Sequence, residues 1–465
     1  MTKSKTLIND LTTGSVTKKL LTFAYPFMLA TLLQTAYSMV DMMVVGQYVG
    51  STGLSAVSIA SQFIWLTTAL CIGFTNGGQI IISQLVGAGM REDLKKTIGT
   101  ISVTIFVVSV FVTVVGILIT KPVLRILSTP EEAFAEAVIY LVIVFLGTIF
   151  TFGYNLVSSI LRGMGDSKHP LIFVAIAAVT NLVLDLLFVA AWDWGVAGAA
   201  IATVAGQALS LILAVRFLYQ NREAFGFDFK LSSFTVDKEY FMKLLRLALP
   251  FAMQSSAISI SMLFVNKFIN EYGLVASATF GAGTRIEQFP WIVAAGVMMA
   301  GATMVAQNMG AGKIDRIKKT VNVAAITCAI SAAIFMTAFA LFPREIYAFF
   351  TSDPEVLEMA PRFMFALILS LPATTMMCPY QAFLEGIGHA KLVMIIALLD
   401  GFVTRIILSL LLANVFHLGL MGWFLGYGMA AYVNLIISAA YYYSGIWKKR
   451  KALVAPKTTK ESLSS

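Results

Sequence analysis

Oxygen-bearing side chains stand inside three otherwise apolar stretches in the first half of the chain. Asn181 and Asp185 are four residues apart, so they project from one face of a helix. Two carboxylates, an amide and a hydroxyl suit a hard cation, and two nearby carboxylates also favour sharing one proton. We predict that the cation-binding and coupling residues, which would be metal ligands if the ion is sodium, are Asp41, Asn181, Asp185 and Thr203.

A simpler interpretation of these acids stays open. Asp185 comes shortly before Trp192, an aromatic residue typical of a membrane interface. Asp185 would then lie near the outer surface and be merely solvated, and the same alternative applies to Asp41. We favour the binding site because charged residues within apolar spans are costly and usually functional.

A second set of charges lies in apolar stretches of the second half. Arg285 and Glu287 are two residues apart, a spacing that does not bring side chains together on a helix, so each needs another partner. Asp400 and Arg405 are five apart and either pair with each other or reach the helix of Glu287. We favour structural pairing for this set.

The composition requires that membrane helices position these residues. Of 465 residues, 58% are hydrophobic and only 12% are charged, against about 25% charged in soluble domains. Long stretches contain no charge, and a spanning helix needs about 20 mostly apolar residues. We predict an all-α integral membrane protein with twelve transmembrane helices, at residues 20–46, 54–84, 97–120, 137–161, 170–191, 196–218, 247–269, 277–307, 320–341, 361–384, 392–414 and 419–443.

The basic residues predict the orientation of these helices. They concentrate at the two termini and in alternate loops, including the segment from about Gln220 to Arg246, whereas the other loops hold few. This asymmetry predicts a multi-pass protein of the cell inner (plasma) membrane with both termini in the cytoplasm. The first helix is expected to remain as the insertion signal, since no small-residue cleavage site follows it.

The two halves of the chain repeat each other. Four segments recur in one order at a spacing of 223–224 residues: 24–27 with 248–251, 84–89 with 307–312, 161–165 with 384–388, and 195–198 with 419–422. Six helices per half make the repeats parallel, an arrangement typical of transporters that rock one half against the other. We predict an N-terminal lobe (1–219), a cytoplasmic linker (220–246), a C-terminal lobe (247–447) and a basic cytoplasmic tail (448–465).

A proline recurs near the start of each half. Pro26 and Pro250 fall in the first turns of the predicted helices 1 and 7. Proline within a helix removes a hydrogen bond and bends the backbone. Pro26 is therefore either a hinge near the cation cluster or an ordinary helix-start proline, and both interpretations stay open.

Several classes of function lack their motifs in this sequence. Gly310-Ala311-Gly312-Lys313 does not have the spacing of a phosphate-binding loop, so no ATP-driven pump is expected. The histidines are ungrouped, and Cys71, Cys328 and Cys378 have no metal or redox spacing. The net charge of +9 lies in loops and the tail, which argues against nucleic acid. We predict a protein that is not an enzyme and has no cofactor.

At these residues the sequence resembles the multidrug and toxic compound extrusion family, over nearly its whole length. The resemblance rests on Pro26 and Asp41, on the segments 84–89, 162–166 and 307–312, and on Arg285-Ile286-Glu287-Gln288-Phe289. The set Asp41, Asn181, Asp185 and Thr203 resembles the DinF-like branch, in which the corresponding residues handle a proton or sodium. The resemblance implies two six-helix bundles around a V-shaped cleft, and a secondary exporter of organic cations or amphipathic drugs by antiport with H+ or Na+.

The sequence departs from other branches of that family in the second lobe. Those branches use acids in helices 7 and 10 for sodium, whereas helix 7 here offers Gln254 and serines, and helix 10 offers Thr374, Thr375 and Cys378.

The alternative function is a flippase for lipid-linked saccharides from the same superfamily. We expect a monomer in contact with membrane lipid and a small-molecule substrate.

Overall fold

The computed structural model describes residues 9–127 and 129–454, apart from the side chains at positions 224 and 225. Of the predicted basic tail, residues 455–465 lie outside the described part, as do residues 1–8 of the predicted N-terminal lobe. Every long regular element within the described ranges is a helix.

Eleven described helices are each long and apolar enough to cross a membrane, and a bent pair supplies a twelfth span. In chain order these are α1 Val16–Tyr48, α2 Ser51–Ala88, α3 Arg91–Ile126, α4 Glu131–Leu146 with Thr148–Gly163, α5 Lys168–Ala191, α6 Gly195–Gln220, α7 Lys238–Asn270, α8 Leu274–Gly310, α9 Ile314–Leu341, α10 Pro354–Gly386, α11 Ala390–Val415 and α12 Leu420–Ser444. The predicted all-α membrane architecture with twelve spans is confirmed.

The bend in α4 measures 46° and falls at Gly147. A Cβ atom at this position would come within 2.4 Å of the Val204 side chain. Glycine therefore leaves room for Val204 of α6 beside the bend in α4. Outside the spans, the linker segment packs on the start of α3, where Lys95 pairs with Asp228 at 2.9 Å.

Backbone geometry repeats along with the sequence. The residues with positive φ include five pairs at the repeat spacing: Gly50 with Gly273, Gly89 with Gly312, Gly165 with Gly388, Asp193 with His417, and Gly195 with Gly419. Gly50 and Gly273 combine φ of 88° and 97° with extended ψ, a conformation that only glycine adopts readily. Each half therefore turns its chain in the same manner between its first two helices.

The described chain divides into two compact units. Within the described ranges, unit 1 comprises residues 9–10, 29–127 and 129–252, and unit 2 comprises residues 11–28 and 253–454. The boundaries fall inside α1 and α7, two residues after Pro26 and two residues after Pro250. Each of these helices therefore has its two ends in different units.

Proline in α1 lies deeper than the sequence suggested. The helix begins at Val16, so Pro26 is in its interior, and Pro250 is likewise in the interior of α7, which begins at Lys238. The helix-start interpretation of Pro26 is wrong, because the polar residues before Leu20 continue the helix instead of preceding it. In unit 2, Phe23 and Phe27 pack in one apolar core with Val297 of α8.

Candidate cation-binding site

Asp41 and Asp185 meet inside unit 1. Asp41 lies on α1 and Asp185 on α5, and their carboxyl groups come close enough to share a proton. Asp185 is 1% exposed, so it is not the solvated interface residue of the simpler interpretation. One oxygen of Asp41 and both oxygens of Asp185 are buried without a hydrogen-bond donor among the described residues. Buried carboxylates in this condition are costly until a proton or a cation neutralises them.

Asn181 and Thr203 complete the predicted set beside these acids. The Asn181 amide lies next to Asp185, and its Nδ2 donates a hydrogen bond to Thr203 Oγ1 at 3.4 Å. Gly206 permits this contact, since a Cβ atom there would come within 2.9 Å of the Ala177 carbonyl oxygen on α5. Helices α5 and α6 can therefore approach closely at the level of the site, as small residues allow in membranes.

Two tyrosines border the site and were missing from the sequence prediction. The hydroxyl of Tyr140, on α4, lies beside Thr203 and near both acids, and the residue is 5% exposed. Tyr37 lies beside Asp41, one helical turn earlier on α1. The spacing of Tyr37 from Asp41 was a usable signal in the sequence. Tyr140 had none, because only the packing of α4 against α6 brings it to the site.

The end of the site on α5 is marked by a change of helix type. Asp185 is the last α-helical residue, and Leu186–Ala191 continue as a π-helix. Short π-helical turns occur often at functional sites because they shift side chains relative to the regular ladder. The hydrogen-bond pattern of the helix backbone therefore changes directly after Asp185, the residue that carries the carboxylate.

Three of the four charged residues predicted in the second half also meet, within unit 2. Arg405 Nη2 donates to Asp400 Oδ1 at 3.1 Å, and both residues are buried. The Tyr427 hydroxyl donates to Glu287 Oε2 at 3.0 Å, and the Arg405 guanidinium lies 5.3 Å from the centre of the Tyr427 ring. Arg285 is exposed and lies apart from this group.

The chemistry available in unit 1 is that of a small oxygen site. Carboxylate, amide and hydroxyl oxygens suit a proton or a hard cation such as sodium. Within the described ranges no three His, Cys, Asp or Glu side chains group into a site for a resident metal.

Comparison with known families decides the class of the protein. The MatE family model matches residues 26–187 and again 250–411, which is well over half of the chain and coincides with the repeat. The chain belongs to the MatE family. The two matches begin at Pro26 and Pro250, and the first contains Asp41, Asn181 and Asp185.

Several relatives of this MatE protein carry names that refer to drugs. A probable multidrug resistance protein, YoeA of Bacillus subtilis, is 27% identical over 94% of this chain and 95% of its own length. YpnP, a second probable multidrug resistance protein of that organism, is 27% identical over 95% and 98%. The multidrug export protein MepA of Staphylococcus saprophyticus is 25% identical over 84% and 86%. These relatives are transporters, a class that is not enzymatic, and the lipid-linked saccharide alternative is not favoured.

Solved structures confirm the fold of the MatE protein. A multidrug resistance transporter of this family in an outward-facing conformation superposes with a TM-score of 0.88, at 21% identity over 98% of this chain and 100% of that one. A MOP superfamily transporter from Pyrococcus furiosus gives 0.89 at 21% identity over 97% and 100%. Together with the match to the MatE family model, the chain is a multi-span membrane transporter of the multidrug efflux family.

Proposed function

We propose that this protein exports organic cations or amphipathic drugs across the plasma membrane in exchange for protons or sodium. The observation that carries the proposal is the meeting of Asp41 and Asp185, because three of their four carboxylate oxygens are buried without a hydrogen-bond donor among the described residues. Such a pair gains strongly from binding a positive ion, and free energy from the ion gradient can then drive transport.

The ion acts on helix α1 in the proposed cycle. An ion arriving from outside binds Asp41 and Asp185, with Asn181 and Thr203 as further oxygen ligands if it is sodium. Neutralising the pair removes the repulsion between α1 and α5, and α1 repacks by bending at Pro26. The change of unit two residues after Pro26 supports a hinge at this point.

We further propose that both termini of the transporter lie in the cytoplasm. The basic residues of the terminal segments and of the linker favour both termini in the cytoplasm. The protein would work as a monomer embedded in lipid, without ATP. The names of the multidrug relatives support a small-molecule substrate with a positive charge or an amphipathic structure.

The experiment is efflux of a fluorescent organic cation from cells that lack their own pumps. Wild type and Asp41→Asn are compared while the proton and sodium gradients are collapsed separately. We expect efflux by wild type only, and its loss when one of the two gradients is removed, which identifies the ion. Normal efflux by a well-inserted Asp41→Asn variant would contradict the proposal.

A further inference from the structure

Helix α11 contains a π-helical turn that α5 lacks at the corresponding place. Leu399–Arg405 form this turn, whereas α5 stays α-helical as far as Asp185. Gly388 lies 223 residues after Gly165, but Gly419 lies 224 residues after Gly195. The second half has therefore gained one residue between these points. A π turn accommodates one extra residue because its hydrogen bonds run from i to i+5.

The same turn explains how Asp400 and Arg405 pair. Residues five apart diverge on a regular α-helix, where neighbours are three or four apart. In a π turn, residue i+5 lies over residue i, and the two side chains meet at 3.1 Å. Gly401 also brings this turn close to α7, since a Cβ atom there would come within 3.1 Å of the Ala257 carbonyl oxygen.

The inserted residue changes which residues of the two polar clusters occupy equivalent positions in the repeat. Beyond the turn the spacing of 224 residues relates Asn181 to Arg405 and Thr203 to Tyr427. The amide and hydroxyl that touch in unit 1 are thus replaced in unit 2 by a guanidinium lying over a phenol ring. The position of Asp185 corresponds to Ser409, and that of Asp41 to Val265 at a spacing of 224 or to Phe264 at 223, and all three residues are neutral.

The charges of the two clusters differ by one fixed cation. The unit 1 site has two facing carboxylates and no basic partner among the described residues. The unit 2 cluster also has two carboxylates, and Arg405 pairs with Asp400 and lies near Glu287. The charged or titratable groups that face Glu287 are Tyr427 from α12 and Arg405 from α11. Unit 2 therefore has the charge that unit 1 would reach after binding one cation.

We propose that Arg405 is a built-in substitute for the coupling ion in the second lobe, so that only the first lobe exchanges an ion. This inference rests on the proposed function, because it assigns all ion exchange to Asp41 and Asp185. It makes Arg405 a positioning residue that holds Asp400 and Glu287 in the state of an occupied site. Removing its charge should create a new cation-binding site there.

The test counts protonated carboxyl groups in purified protein by infrared spectroscopy at pH 7, with and without sodium. The background is the Asp41→Asn/Asp185→Asn protein, in which the first-lobe site is disabled. We expect Arg405→Gln to gain one protonated carboxyl group, which sodium displaces if the new site accepts it. Arg405→Lys, which keeps the charge, should gain none, and adding Glu287→Gln to Arg405→Gln should remove the gain.

A folded Arg405→Gln protein without this gain would overturn the inference. If that variant does not fold, the protein with Arg405 intact still provides a test. The bands of Asp400 and Glu287 should not change between pH 8 and pH 5, and a changing band that Glu287→Gln removes would also overturn the inference. A first-lobe site that shows no exchange in the wild type would instead refute the proposed function, so the two failures are distinguishable.

Discussion

At the scale of single residues, Asp41 and Asp185 lie together, and three of their four carboxylate oxygens are buried without a hydrogen-bond partner among the described residues. Asp185 is fully enclosed by protein, and its two oxygens accept no hydrogen bond within the described ranges. A neutral amide of the same shape would need no ion. The charge of Asp185, more than its packing, is therefore the property that the mechanism uses.

Asp185→Asn should abolish gradient-driven efflux while leaving the protein folded and inserted. The amide removes the charge that an ion must neutralise, and it preserves the shape of the side chain. Efflux of a fluorescent cation measures the effect. Asp193→Asn is the matched control, because Asp193 is exposed in a turn with positive φ, which asparagine also adopts. Equal efflux by the two variants would contradict the assignment.

Tyr140→Phe should weaken ion binding without abolishing it. The hydroxyl lies beside Thr203 and near both acids, and a hydrogen bond of this kind contributes about 0.5–1.5 kcal/mol. The ion concentration for half-maximal efflux should therefore rise by roughly 2- to 10-fold. Unchanged ion dependence would mean that Tyr140 only packs.

His389 should make the stability of the protein depend on pH. It lies between α10 and α11, where burial, together with the nearby charge of Arg450, lowers its pKa to about 4. The unfolded chain therefore takes up the proton first, and the stability contributed by neutral His389 is lost as the pH falls from about 6.5 towards about 4. Thermal unfolding in detergent should show a smaller loss from pH 7 to pH 5 for His389→Gln than for wild type. An identical loss in both would show that His389 is not responsible.

At the scale of the elements, helix α1 carries Asp41 of the ion site and also contains a boundary between the two units. Its residues from Leu29 onward belong to unit 1 with Asp41, whereas those before belong to unit 2. Pro26 removes a helical hydrogen bond close to this boundary, as Pro250 does in α7. The chemical difference is that α7 has an apolar residue, Val265 or Phe264, where α1 has Asp41.

Pro26→Ala should slow efflux several-fold while ion binding is retained. Proline in a helix interior costs about 3 kcal/mol, so alanine stabilises a straight α1 and should raise the thermal stability. Efflux, ion binding and thermal unfolding are measured together. Pro250→Ala makes the same backbone change in α7, which has no acid at the position equivalent to Asp41. We expect this variant to lose less efflux than Pro26→Ala. Full efflux by Pro26→Ala would exclude the hinge.

At the scale of the whole molecule, the duplication was readable from the sequence. The recurring segments predicted the register that the paired positive-φ residues follow, and four of the five pairs place glycine in both halves because a left-handed backbone favours it. Helix ends were less readable: Lys238 to Arg246 were predicted to be linker but form the start of α7. Polar residues continue a helix beyond the apolar core, where hydropathy carries no signal.

The candidate site was predictable where local spacing determines it. Asn181 and Asp185 share a face by helical periodicity, and they lie together as expected. Tyr140 and Tyr427 were not predictable, since only tertiary packing brings their hydroxyls to a distant acid. The π turn at Asp400 left a trace as a one-residue change of the repeat spacing, but that trace does not reveal where in the helix the extra residue is accommodated.

The most direct test of the central claim uses purified protein in proteoliposomes with an imposed proton or sodium gradient. Movement of an organic cation and the opposite movement of the ion are recorded at the same time. We predict that the two fluxes occur together in wild type and are both lost in Asp41→Asn. Coupled fluxes that persist in a folded Asp41→Asn protein would contradict the claim that the carboxylates of unit 1 carry the coupling ion.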